Sequence, residues 1–205
     1  ACGACHGDPA RTDGAPPRDL AGNTGTEFPG VGAHRAHLAA NGRSALVACA
    51  DCHRVPTTRD QVGHIDDDDR RAEVTFAGLA TNNSAQPSYL GVACSNTYCH
   101  GATLPEAVAR ADAVATPLWT QVDGTFSVCT SCHGVPPAAG HPAQADCAAC
   151  HAAVIGPDRA FTAPLLHVDG RVQSSGIECD SCHSSETSAP PWRDSRGGTS
   201  TDAAG

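Results

Sequence analysis

The sequence predicts a chain that is mostly irregular or loop, with short helices and little β structure, held together by staples rather than by a packed side-chain core. Three observations predict this. Aromatic residues are only 4% of the 205 residues while Gly and Pro number 21 and 15, so few large side chains are available to fill an interior. Signals for regular secondary structure are sparse, and Gly, Pro, Asn and Asp punctuate the chain throughout. All 12 cysteines fall into six pairs, each followed directly by His, a pattern suited to stapling a loop-rich chain.

Taken in order, "AHRAHLAA" (33–40) reads as a short helix with His34 and His37 one turn apart on one face. "HIDDDDRR" (64–71) lacks the spacing of a calcium loop and reads as a solvated acidic loop. "AEVTFAGLA" (72–80) reads as a short strand. Each Cys-Cys-His site is expected on a helical turn. The segment 184–205 is polar and Pro/Gly/Ser-rich, a flexible end or an arm that lies on a partner. Residues 1–183 form the expected domain. "CGACHGDP" and "CTSCHGVPP" each open a unit that a second such site closes, which suggests an old duplication at about 1–90 and 91–183.

Formal net charge is −9, and every one of the 13 basic residues is Arg. A nucleic-acid partner would call for a basic stripe. No apolar run approaches the length of a membrane span. No signal peptide is visible, so export would place Ala1 near a mature N-terminus.

Five of the six sites read C-x-x-C-H: Cys2, Cys5, His6; Cys49, Cys52, His53; Cys129, Cys132, His133; Cys147, Cys150, His151; and Cys179, Cys182, His183. The sixth, "CSNTYCH", spaces Cys94 and Cys99 two residues further apart before His100. C-x-x-C-H is the attachment signature of c-type haem. Two thiols form thioethers to the two vinyl groups of one macrocycle, and the next residue brings an imidazole under the iron. The longer spacing does the same work if its two extra residues bulge out, because the cysteine beside His keeps its register. Six disulfides would also use 12 cysteines, but leave unexplained why His follows every pair. Zinc sites use Cys and His without needing the Cys-His dipeptide six times. Six haems c also answer the composition, since the macrocycles supply the missing apolar mass and make a haem-cored fold. With roughly 34 residues per haem, the haems must lie close together or stack.

One axial ligand of each iron comes from its own motif: His6, His53, His100, His133, His151 and His183. His34, His37, His64, His141 and His167 remain as second ligands, five for six irons. His34 and His37 are placed to reach two adjacent haems. Sharing histidines between identical copies does not change the ratio, so at least one haem per chain lacks bis-His ligation. Met and Lys are absent, leaving the α-amine of Ala1, Tyr89, Tyr98, a carboxylate, water or an open position. The first haem is the favoured candidate, because its motif begins at the chain end, where a second ligand is hardest to supply locally. An open iron would suit reduction of a small molecule, but no acid–base set accompanies it in the sequence, so no catalytic residues are assigned.

The segment "GVACSNTYCHG…PLW…FSVCTSCHGVPPAAGHP…CAACH…LLHVDGRV", with "GAHRAHL…CADCHRVP…GHIDDDDRRAEVTFAG" before it, resembles multihaem c-type cytochromes of metal-reducing bacteria, which mix C-x4-C-H and C-x-x-C-H sites. The likeness covers roughly residues 1–183 by motif order. It implies export to the cell surface or the periplasm, covalent haem c, mostly bis-His low-potential irons and respiratory electron transfer, with redox-partner cytochromes and extracellular electron acceptors as partners. His64, His141 and His167 stand where the family places its distal histidines. The missing twelfth histidine departs from that pattern. Some cytochromes of this general type polymerise into extracellular nanowires. Haem sites near both ends of the domain are compatible with a head-to-tail contact between copies. The expected function is therefore electron transfer outside the cytoplasm, as a polymeric wire or, alternatively, a discrete periplasmic shuttle. A reductase acting at the under-ligated haem is the alternative from a different class.

Overall fold

The computed structural model describes residues 7–8, 10–11, 13–39, 42–65, 71–105, 109, 116–137, 141 and 145–174. The first haem motif (Cys2, Cys5, His6), the last (Cys179, Cys182, His183), the acidic run 66–70 and the segment 184–205 lie outside the described residues.

Within them the architecture is mostly loop, as the composition predicts. Two short α-helices, α1 (His34–Leu38) and α2 (Ala148–His151), stand among short 3₁₀ turns at Cys49–Asp51, Gly78–Ser84, Tyr98–His100, Thr125–Ser127 and Pro164–Leu166. Strands β1 (Ser88–Tyr89) and β2 (Cys94–Ser95) pair antiparallel, Ser88 opposite Ser95 and Tyr89 opposite Cys94. The helix expected at 33–40 is α1, shortened because Ala39 turns extended.

Two local expectations need correction. Residues 72–77 are not a strand. Their backbone bonds go to the turn of the second haem motif: the Thr75 amide donates to the Cys52 carbonyl at 2.8 Å and the Ala77 amide to the Asp51 carbonyl at 3.0 Å. Gly78, at φ +47°, then starts the 3₁₀ turns, where a Cβ would collide with the Asp51 carboxylate. That carboxylate accepts from the Ala48 amide at 2.8 Å and the Leu79 amide at 2.9 Å, tying the motif to the following segment.

Nor does every described haem motif sit on a helical turn. Those ending at His53, His100 and His151 do, but Cys129–His133 runs through bends after Thr125–Ser127. Val128 is already extended, and His133 forms an isolated antiparallel bridge with Ala109.

The buried hydrophobic residues are small: Ala15, Val31, Ala33, Ala80, Ala85 and Val154. Among the described residues no large side chain is fully buried. Leu20, Leu46, Val62, Leu90, Leu165 and Val172 are instead among the exposed large hydrophobics. A core of this kind contributes far less than the backbone entropy of ordering the chain demands.

One well-defined packing point joins distant segments. Trp119 Nε1 donates to the Pro29 carbonyl at 2.7 Å, while its backbone amide donates to Val92 at 2.8 Å. Ala93 bridges Leu118, and the Cys94 amide donates to Pro117 at 3.1 Å. The indole lies directly against Gly32, which has φ +40° and no room for a Cβ. Gly32→Ala is therefore expected to combine backbone strain with a steric clash and cost roughly 2–3 kcal/mol. A thermal melt of the haem-loaded protein checks this, with a clear fall in midpoint as the expected outcome.

Candidate haem sites

Four pairs of imidazoles lie at nearly the same separation. The ring centres of His34 and His53 are 6.2 Å apart, those of His37 and His100 6.1 Å, those of His133 and His167 6.3 Å and those of His141 and His151 6.1 Å. A metal–imidazole bond of about 2 Å on each side, plus roughly 1 Å from each ligating nitrogen to its ring centre, spaces two axial imidazoles about 6 Å apart. Each pair joins one motif histidine to one histidine from outside the motifs. The two histidines of α1 serve different partners, His53 and His100.

The orientation of these rings is prepared by the backbone. In His34, His37, His53, His133, His151 and His167, Nδ1 lies 2.7–2.8 Å from a main-chain carbonyl, of Val31, Ala33, Glu73, Gly134, Gln173 and Arg43 respectively. A carbonyl can only accept, so Nδ1 carries the proton and Nε2 presents its lone pair, the form that binds a metal. His64 has the same arrangement, its Nδ1 2.7 Å from the Arg59 carbonyl.

Burial supports the neutral ligating form. It pushes His100 down to about 4, with the nearby His37 adding to the effect, and it lowers His34 and His167 from the ordinary histidine value. Burial likewise pushes the Cys52 thiol up to about 12 and Cys94 up to about 11, and raises Cys99 and Cys132. These are protonated thiols, not thiolates poised for a metal. The eight described cysteines are free of disulfides, and among the described residues no three His, Cys, Asp or Glu side chains gather as a metal cage.

The motifs are close neighbours. A Cβ on Gly101, the residue after His100, would lie 3.6 Å from the Cys132 side chain. Cys99 and Cys94 lie near enough to Cys52 to add to the rise of its thiol. His167, paired with His133, is held by the carbonyl of Arg43, 124 residues earlier.

Of the non-histidine candidates for the sixth ligand, the Tyr89 hydroxyl donates to the Gly91 carbonyl at 2.7 Å. Burial raises both tyrosines, and Asp169 adds to this at Tyr98, which disfavours a ligating phenolate.

The pairing of histidines was not readable from sequence, because His133–His167 and His37–His100 are contacts between distant segments. Two aromatic residues were also missed. Trp119 packs edge-on to His34 at 4.8 Å and stacks on His37 at 5.5 Å. Phe161 packs on His167 at 4.4 Å. The "PLW" tripeptide was visible inside the repeat, but nothing in its spacing tied it to α1.

Paired imidazoles that present Nε2, beside paired thiols and among described residues several of whose large apolar side chains are exposed, fit a haem. Residues 93–133 match the family model described as the Geobacter CxxxxCH...CXXCH motif, a stretch that holds the sites ending at His100 and His133 and also Trp119. The chain thus carries a cytochrome c haem-binding motif, which implies haem c with its iron and a role in electron transfer. No curated protein and no solved structure matches the chain.

Proposed function

We propose that this chain carries six haems c and conducts electrons outside the cytoplasm, in respiration to an extracellular acceptor. The observation that carries this reading is the set of four opposed imidazole pairs, each spaced for one iron and each containing a motif histidine. Bound haem supplies one-electron exchange between ferric and ferrous iron. The chain's residues hold the macrocycles through the twelve cysteines, present neutral imidazoles on both faces and keep neighbouring sites close. His34, His37, His141 and His167 are then the second ligands at His53, His100, His151 and His133.

This pairing relocates the histidine shortfall. With four pairs filled, His64 can complete the site of His6 or that of His183 within this chain, but not both. His64 has its Nδ1 fixed as the other ligands do, which supports its service as an axial ligand. The remaining site is the one where a reductase reading would act.

The ferric protein is expected to show low-spin c-type spectra for at least five haems. Binding of cyanide or nitric oxide at one iron with turnover of a small molecule would favour the reductase; absence of any low-spin signal would remove the electron-transfer reading. Assembly of copies head to tail into a surface filament is part of the proposal. Electron microscopy of cell-surface preparations tests it: filaments support it, and dispersed particles alone leave the discrete shuttle.

A further inference from the structure

We infer that Trp119 is a positioning residue shared by two haem centres, fixing the ring planes of His34 and His37 and thereby the electronic character of both irons. The inference rests on the reading of these histidines as axial ligands.

The four imidazole pairs fall into two geometries. His34/His53 and His141/His151 are close to parallel, with interplanar angles of 20° and 22°. His37/His100 and His133/His167 are crossed, at 63° and 73°. Crossed axial planes bring two iron d orbitals closer in energy than parallel planes do, so the two classes give distinguishable ferric low-spin signals. An imidazole can rotate about its bond to the metal, and the angle persists only if something blocks that rotation. At His34 and His37 the Nδ1 bonds to Val31 and Ala33 supply part of the restraint. Trp119 supplies the rest at both. Its indole stands at 88° to the His34 ring and at 27° to that of His37, so one side chain abuts one ring by its edge and covers the face of the other.

Trp119 is itself fixed. Its Nε1–H is held by Pro29, its plane lies against Gly32, and its backbone is bound to Val92 next to the strand that carries Cys94. The residue therefore links the distal ligands of the His53 and His100 sites to the polypeptide that attaches the His100 haem. Its apolar surface also shields both imidazoles from water, and a drier site disfavours the more highly charged ferric state.

The test uses the full haem-loaded chain and EPR-monitored redox titration. His34→Met and His37→Met first mark the two centres: each removes one share of ferric bis-His signal, His34→Met from the parallel class and His37→Met from the crossed class. Trp119→Leu is then expected to shift the same two shares, lower both midpoints and leave the remaining low-spin signals in place. Trp119→Phe, which keeps a ring face but loses the bond to Pro29, is expected to shift both centres in the same direction by less. If Trp119→Leu does not yield loaded protein, Trp119→Phe decides alone. Unchanged signals at both marked centres, or an equal shift at every haem as from general loosening, overturn the inference while the ligand assignment stands. If neither methionine variant alters any low-spin signal, the ligand assignment itself falls.

Discussion

Produced where haem is not attached, the chain is expected to show no cooperative unfolding transition at all. The described hydrophobic core is four alanines and two valines, and among the described residues no large side chain is fully buried. Burying a Val side chain is worth about 1.5–3 kcal/mol, whereas fixing each residue's backbone costs about 1–2 kcal/mol, so this core cannot order the chain alone. Helical propensity does not help, since α1 has five residues and α2 four, too short to persist without tertiary support. Haem attachment changes the balance in two ways. Each macrocycle gives apolar side chains such as Leu46, Leu90 and Leu165 a surface to cover, and two thioethers with axial bonds close loops that are otherwise open. Far-UV circular dichroism and a denaturant titration of unloaded and loaded chain check this. The unloaded chain should give a featureless, linear response and the loaded chain a sigmoidal one. A cooperative transition in the unloaded chain would mean that side chains hold the fold.

The second large effect is expected from His37→Met. His37 is paired with His100, and the crossed pair lies beside Trp119. Exchanging a distal imidazole for a thioether stabilises ferrous iron, and axial ligands span a range of about 0.8 V in haem proteins. One midpoint should therefore rise by on the order of 0.1 V or more. Electrons would then collect at that haem, and transfer past it should slow. The control is the matching change His141→Met, which should move a different single haem, the one at His151. A titration in which neither variant shifts a single component would contradict the pairing.

What could be read from the sequence divides along a physical line. A haem-attachment motif is local chemistry, two thiols and an imidazole within five or seven residues, so its spacing is legible in sequence, and the family model matches it at the sites ending at His100 and His133. The loop-rich fold followed from the shortage of large side chains, which is a property of composition. α1 was legible because its two histidines share one helical face. The failures were tertiary. Residues 72–77 have a strand-like pattern, yet their amides serve Cys52 and Asp51 rather than a neighbouring strand, and a pattern cannot reveal which acceptor wins. Cys129–His133 was expected on a helical turn, but the bridge to Ala109 draws His133 into extended backbone. The partner of His167 lies 34 residues away in the chain and its orienting carbonyl, on Arg43, lies 124 away. Trp119 is invisible as a site residue for the same reason, since its importance comes from contacts with segment 29–37.

The central claim is that every one of the six Cys-Cys-His sites carries a covalent haem. Intact mass spectrometry of the protein produced with haem attachment, denatured to release anything held without a covalent bond, tests it in one measurement. The expected result is the 20.8 kDa chain plus the mass of six haems, with a step down of one haem when Cys94 and Cys99 are both changed to alanine. A mass equal to the bare chain would contradict the claim outright.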